Sequence, residues 1–239
     1  MSYYQDRKTT LPQENIARDS HYYASRLLTF LPELHTSWNG TILEGGCGFG
    51  KLVLGIKSIL PQATITGIEI NRSQVEQLQE YIEKTSTDGL TIVQGDVLDL
   101  PFADSSFDIV ISEQIIEHVA EQDLLIRQAH RVLKPGGIFV LTTATRLFPW
   151  EFHINLPFIP WLSKRMARRI LRLAGKHRLA KYYEHVFPIS SATLERLLRQ
   201  TGFEKVEFRG DRWFTPHFLP HYRIPPPCVS SVDWLLSDA

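Results

Sequence analysis

The stretch "ILEGGCGFG", Ile42 to Gly50, decides the fold. Two aliphatic residues lead into Glu44, and glycines follow at 45, 46, 48 and 50. The next ten residues, "KLVLGIKSIL", read as a helix stopped by Pro61. An apolar strand that turns on glycines into a helix is the opening βα unit of a nucleotide-binding sheet.

Working outward, strands and helices alternate. "TITGIEI" (64–70) reads as a strand and "SQVEQLQEYIEK" (73–84) as a helix capped by Ser73. "LTIVQGD" (90–96) and "FDIVISEQ" (107–114) read as strands, and "QDLLIRQAHRVL" (122–133) as a helix ended by "KPGG". "IFVLTT" (138–143) is a fifth strand. Alternation with apolar strands predicts a parallel sheet covered on both faces. Upstream, 14–34 reads as a helix carrying Tyr22, Tyr23, Leu27, Leu28 and Leu31. From 149 to 183 the pattern breaks into an insertion after the fifth strand. "SSATLERLLRQTG" (190–202) is one more helix, and "FEKVEFRG" (203–210) and "DRWFTPHF" (211–218) read as final strands. The tail after 222, with three prolines in a row, predicts no element. With 239 residues, 1–239 is expected to be a single domain.

Bulk properties exclude several classes. Lys and Arg total 26, as do Asp and Glu, so no global field draws the chain to nucleic acid. No run reaches the roughly 18 apolar residues of a membrane span. The N-terminus has no apolar signal core, and Cys47 and Cys228 make neither a disulfide framework nor a metal cluster. A cytoplasmic protein is expected, with association at a membrane surface as the alternative. The charge is uneven, however. Phe152 to Tyr183 contains no acid and eight bases, leaving 18 bases against 26 acids, a net −8, elsewhere.

The glycine turn discriminates between ligands. A dinucleotide site wants G-x-G-x-x-G, but Lys51 stands at the third glycine position, and no G-K-[ST] follows for a phosphate loop. Glu44 at the strand end repels a diphosphate and suits a ligand with a cationic end. S-adenosylmethionine has an ammonium, a sulfonium and no phosphate. Glu69, ending the second strand, is placed for ribose hydroxyls, as in nicotinamide enzymes too. Asp96 and Val97, ending the third, are placed for adenine. Glu113, ending the fourth, is placed near the methionine end.

Together "ILEGGCGFG", "GIEI", "GDVLDLPFADSSFDIVISEQIIEHV" and "VLKPGGIFVLTT" resemble class I S-adenosylmethionine-dependent methyltransferases. The type is similar to the small-molecule group that includes the ubiquinone-pathway methyltransferases. The match covers roughly 41–143, and "HVFPISSATLERLLRQTGF" (185–203) resembles that family's end. The resemblance implies a Rossmann-like, doubly wound seven-stranded sheet with the last strand antiparallel, here with a helical basic insertion after the fifth strand. It implies cofactor contacts at Glu44, Gly46, Gly48, Glu69, Ile70, Asp96, Val97 and Glu113, with S-adenosylhomocysteine as product and no metal. That family often has Asp where Glu44 and Glu69 stand.

Methyl transfer needs positioning, and a base when the acceptor carries a proton. His118 in "EQIIEHV" is the expected base, with Glu117 beside it read as a solvated charge. His153, His185, Trp150 and Tyr22 are expected around the acceptor, and helix 14–34 is expected to cover the cofactor. Over 149–183 a lid is expected. Ile159, Leu162, Met166, Ile170 and Leu173 make an apolar stripe, with Lys164, Arg165, Arg168, Arg172 and Lys176 largely opposite. The stripe packs on the core in one reading. In another, 158–181 meets anionic lipid, and in a third it meets an acidic substrate. The aromatics Phe148, Trp150, Phe152, Phe158, Trp161, Tyr182 and Tyr183 favour an apolar acceptor pocket. Three functions stay open. One is a methyltransferase for a small lipophilic acceptor, oxygen favoured over carbon or nitrogen. The second is a non-catalytic cofactor-binding partner subunit. The third is a nicotinamide oxidoreductase, which conflicts with Glu44 and Lys51. Oligomeric state is left open.

Overall fold

The computed structural model describes residues 16–29, 31, 34–144, 150–151, 156–210 and 232–238. Helix α1 (Ile16–Leu28) precedes β1 (Thr41–Gly45), α2 (Lys51–Ile59), β2 (Thr64–Glu69), α3 (Arg72–Thr85), β3 (Leu90–Gln94) and β4 (Phe107–Glu113). Then come α4 (Gln122–Val132), β5 (Leu133–Ala144), β6 (Trp150–Glu151) and β7 (Leu156–Pro157). The chain continues through α5 (Lys164–Leu173), α6 (His177–Tyr182), α7 (Ser191–Thr201), β8 (Lys205–Gly210) and β9 (Val232–Asp238). Among the described residues, no helix is long and apolar enough to cross a membrane.

β1 pairs in parallel with β2 and β4, β2 with β3, and β4 with β5. These five strands are the parallel Rossmann-like centre that the alternation predicts. Successive residues point to opposite faces. Ile42, Ile109, Ile111 and Val140 join one core with Leu27, Leu52, Val53 and Ile56 from α1 and α2. Leu43, Val110, Phe139 and Leu141 join the other with Leu125 and Ile126 of α4 and Leu194 and Leu198 of α7. Both faces are dry, so the central strands read as unbroken apolar runs. Each fully buried aliphatic side chain contributes roughly 1.5–3 kcal/mol.

The strand order is β3-β2-β1-β4-β5-β9-β8, with β9 antiparallel to both of its neighbours. The chain winds from β1 outward to β3, then returns to β4 on the other side of β1. This reversal leaves a crevice beyond the carboxyl ends of β1 and β4, where such sheets bind ligands.

Several sequence readings change. α3 begins at Arg72, and its cap is Asn71, whose side chain accepts from Gln74 N at 3.1 Å. Ser73 therefore lies inside the first turn. β5 begins at Leu133, and "KPGG" forms a bulge within it. The pairing jumps from Phe107–Leu133 to Ile109–Ile138, with Gly136 at φ 76°. The last strand is β9, in the tail where the sequence predicted nothing; 211–218, read as a strand, lies outside the described residues.

The insertion has its own small core of Ile159, Ala167, Leu171, Ala180, Tyr183 and Val186. This corrects the expected apolar stripe. Ile159–Trp161 form a 3-10 turn, and the α-helix starts only at Lys164, where the Ser163 side chain accepts from Met166 N at 3.3 Å. A helical count through Ile159 and Leu162 is therefore out of phase with α5. Ala167 and Leu171 face inward, while Met166, Ile170 and Leu173 are 54%, 45% and 80% exposed.

Candidate active site

The crevice is floored by the glycine turn. Gly46, Gly48 and Gly50 have φ of 75°, 54° and 75°, a region that glycine enters at little steric cost. Gly46 N and Cys47 N both donate to Ile68 O, at 2.8 and 3.0 Å, which pins the turn to β2. A Cβ on Gly46 would stand 2.3 Å from Ile115 Cδ1, whereas one on Gly48 would meet nothing within 4 Å. Gly46 thus lies under the turn that follows β4, and Gly48 opens outward. Glu69 accepts from Gly48 N at 2.9 Å and from Asn71 N at 2.8 Å. A carboxylate has about four acceptor sites, so this anchoring leaves capacity for a ribose diol. Ile70 follows it, half-buried.

The electrostatics are acidic. Glu44 is 4% exposed, and its Oε2 has no hydrogen-bond partner among the described residues. Burial pushes its carboxyl well above the ordinary glutamate range; Glu113 and Glu69 add to this, and the Val53 amide in the first turn of α2 opposes it. Burial and then Glu117 lift Glu113 to about 7, against the pull of Lys51. Lys51 Nζ also lies over the Tyr23 ring, 5.7 Å from its centroid. Buried carboxyls raised by desolvation and mutual repulsion are stabilised by a cation and made worse by an anion. The orphaned oxygen of Glu44 and the open side of Gly48 fit an adenosyl donor with a cationic end. They do not fit a diphosphate.

At the end of β3, Asp96 folds back on the chain, with Leu98 N donating to its Oδ1 at 2.9 Å and Asp99 N to its carbonyl at 3.0 Å. Val97 packs at the strand end, where a Cβ on Gly45 would approach its Cγ1 to 3.2 Å. Cys47 is a buried filler beside Gly67, its thiol pushed up by burial and by Glu44 and Glu69. Among the described residues, no group of three His, Cys, Asp or Glu side chains is set to hold a metal.

The turn after β4 forms the other wall. Gln114 takes φ 53°, and its amide donates to Thr142 O and Oγ1 at 3.0 and 3.1 Å. That reversal leads into the 3-10 turn Ile116–His118. The His118 ring meets the Tyr182 ring edge-on, with centroids 6.3 Å apart. Glu117 is 2% exposed and accepts from Thr143 Oγ1 at 3.0 Å, which overturns its reading as a solvated charge. The exit of the insertion docks here. Phe187 N donates to Glu117 O at 2.7 Å, and Gln122 Nε2 donates to Ile116 O at 3.0 Å and Phe187 O at 2.7 Å.

The other expected residues divide. His185 is half-buried in the 3-10 turn Tyr183–His185, two positions before Phe187. Tyr22 is 38% exposed and edge-on to Tyr23 at 6.0 Å; Tyr23, not Tyr22, adjoins Lys51. Trp150 lies in β6, and His153 lies outside the described residues. Phe158 and Trp161 are 56% and 54% exposed on the insertion, and Tyr183 is in its core, where it lines a small cavity with Val186 and Phe187. Sequence reasoning missed Lys51, Ile115 and Thr143. Lys51, the first helical residue after the glycines, was visible by position.

Residues 43–141 match a family model described as a methyltransferase domain. A demethylmenaquinone methyltransferase of Symbiobacterium thermophilum is 26% identical over 190 residues, which are 75% of this chain and 74% of that one. The sterol 24-C-methyltransferase ERG6B of Gibberella zeae is 37% identical over 125 residues, but this match spans 52% of this chain and only 31% of that enzyme. A solved SAM-dependent methyltransferase from Aquifex aeolicus shares the fold at TM-score 0.57 and 14% identity, covering 95% of this chain and 92% of its own.

Proposed function

We propose, on the premise that this chain carries a class I S-adenosylmethionine-dependent methyltransferase domain, that it methylates a small lipophilic acceptor, with oxygen favoured as the receiving atom. The sheet with β9 antiparallel at β5 belongs to this reading as its seven-stranded form. One observation carries it: a buried acidic cluster at the point where the strand order reverses, in which Glu44 Oε2 has no hydrogen-bond partner among the described residues.

When bound, the donor supplies an electrophilic methyl group on a sulfonium. Glu44 and Glu113 face its cationic end. Glu69 accepts from the ribose hydroxyls, and Asp96 and Val97 hold the adenine by its amine and its face. Holding the acceptor atom in line with that methyl group supplies much of the acceleration. His118 Nδ1 or Nε2, as the neutral imidazole, accepts the proton of an acceptor hydroxyl. His185 and Tyr182 shape the acceptor side. The relatives named for demethylmenaquinone and sterol support a lipophilic acceptor. The "24-C" in the latter's name favours a second reading, transfer to carbon.

Calorimetry with S-adenosylmethionine, S-adenosylhomocysteine and NAD tests the donor, and preferential NAD binding overturns the reading. Labelled-methyl transfer to phenols, fatty acids, quinols and sterols tests the acceptor. Tight donor binding with no transfer across that panel assigns the chain to a non-catalytic subunit instead. His118→Ala is expected to lower turnover by roughly 10²–10⁴ while leaving donor affinity unchanged. Full turnover in that variant removes the base.

A further inference from the structure

The insertion turns an unusual face outward. Along α5, at about 100° per residue, Met166, Ile170 and Leu173 fall within roughly 60° of one another. All three are exposed, Leu173 by 80%. Arg165, Arg169 and Arg172 fill the adjoining arc, also exposed. Just before the helix, the Phe158 and Trp161 rings lie 5.4 Å apart, tilted by 54°, each more than half exposed. Phe158 sits at φ 62°, a left-handed conformation that costs a non-glycine residue on the order of 1 kcal/mol.

The charges on this face are not internally neutralised. Glu184 takes Arg168 as a partner and lies 3.7 Å from Arg172. Among the described residues, no ion pair holds Arg165, Arg169, Lys176, Arg178 or Lys181. No acid occurs between 152 and 183, while the rest of the chain is net acidic. We propose that the outer face of the insertion, Phe158 to Leu173, docks on an anionic lipid bilayer. Exposed aromatic and aliphatic side chains beside Arg165 and Arg169, which hold no ion pair among the described residues, match a headgroup-and-acyl boundary. A second copy fits poorly, because a symmetric pairing sets these arginines against their own images with no acid between them. Nucleic acid fits poorly too, since the remaining surface repels a phosphate backbone. The inference does not rest on methyl transfer; where that reading holds, it gives a lipophilic acceptor its route to the crevice.

The test is sedimentation of the full chain with vesicles of phosphatidylcholine alone or mixed with phosphatidylglycerol. Binding to the mixed vesicles at low salt is expected, falling as salt rises. Arg165→Gln with Arg169→Gln is expected to weaken it roughly tenfold or more, at about 1 kcal/mol per basic charge near the surface. Trp161→Ser with Leu173→Ser is expected to abolish the binding that persists at higher salt. Unchanged donor affinity in these variants, read by calorimetry, shows that they fold. Equal binding to neutral vesicles, no binding at low salt, or indifference to both pairs overturns the proposal. Self-association in sedimentation velocity that Leu173→Ser removes assigns the face to a second copy and overturns it as well. Donor binding is measured apart from vesicle binding, so either reading can fail alone.

Discussion

Glu44 shows how a residue stores a binding preference as instability. A buried carboxyl oxygen without a partner costs roughly 1–3 kcal/mol in the ligand-free protein. Glu44→Gln keeps the shape and removes the repulsion with Glu113 and Glu69. It is expected to leave the ligand-free melting temperature unchanged or raise it, while weakening S-adenosylmethionine roughly tenfold or more; a melt and a titration read the two effects. Loss of stability with intact affinity contradicts this. Gly48 gives a complementary test. A methyl group there meets no protein atom, so Gly48→Ala costs about 1 kcal/mol for its φ of 54° yet obstructs the open side of the turn. Its effect on donor affinity is expected to exceed its effect on stability.

Among elements, α1 approaches α2 closely at Gly55. A Cβ on Gly55 would stand 2.0 Å from Ser20 O and 2.8 Å from Ala24 Cβ. Gly55→Ala is therefore expected to force α1 away, at a cost of about 1–3 kcal/mol, with faster proteolysis within 16–29 as the readout. Elements were legible where periodicity is local. The five central strands and α2 through α4 follow from apolar runs closed by glycine and proline. β9 was not legible, because seven residues behind three prolines become a strand only by pairing with β5 and β8, far away in sequence. The face of α5 was misread because Pro160 sits in a 3-10 turn that breaks the helical phase. In the crevice, Glu44 and Glu69 announced themselves by position at strand ends. Glu117 did not, because its burial depends on the left-handed turn at Gln114, a conformation nothing in "SEQII" specifies.

For the whole molecule the acidic cluster sets a pH dependence. Glu113 keeps its proton up to about 7 in the folded protein, against an ordinary value of 4.5. Between those values the folded state binds more protons than the unfolded one, so each step upward in pH removes stability. The ligand-free protein is expected to lose on the order of 2–3 kcal/mol from this group as pH rises through the window, with Glu44 acting in the same direction. Asp108 behaves oppositely. Burial works to raise it, but Lys134 and Thr41 hold it below its usual range, so its contribution is lost as pH falls. A cationic donor should displace the bound protons. Its affinity is expected to improve as pH rises toward about 7, and calorimetry in buffers of different ionisation enthalpy counts the protons released.

Two short bonds, from Gln122 and Phe187, lash the exit of the insertion to the loop that bears His118. On the proposed function, that lashing links the outer helix mechanically to the His118 imidazole, the proposed base. Seating on a bilayer would then do more than concentrate the enzyme near its acceptor. It would retune the rate itself.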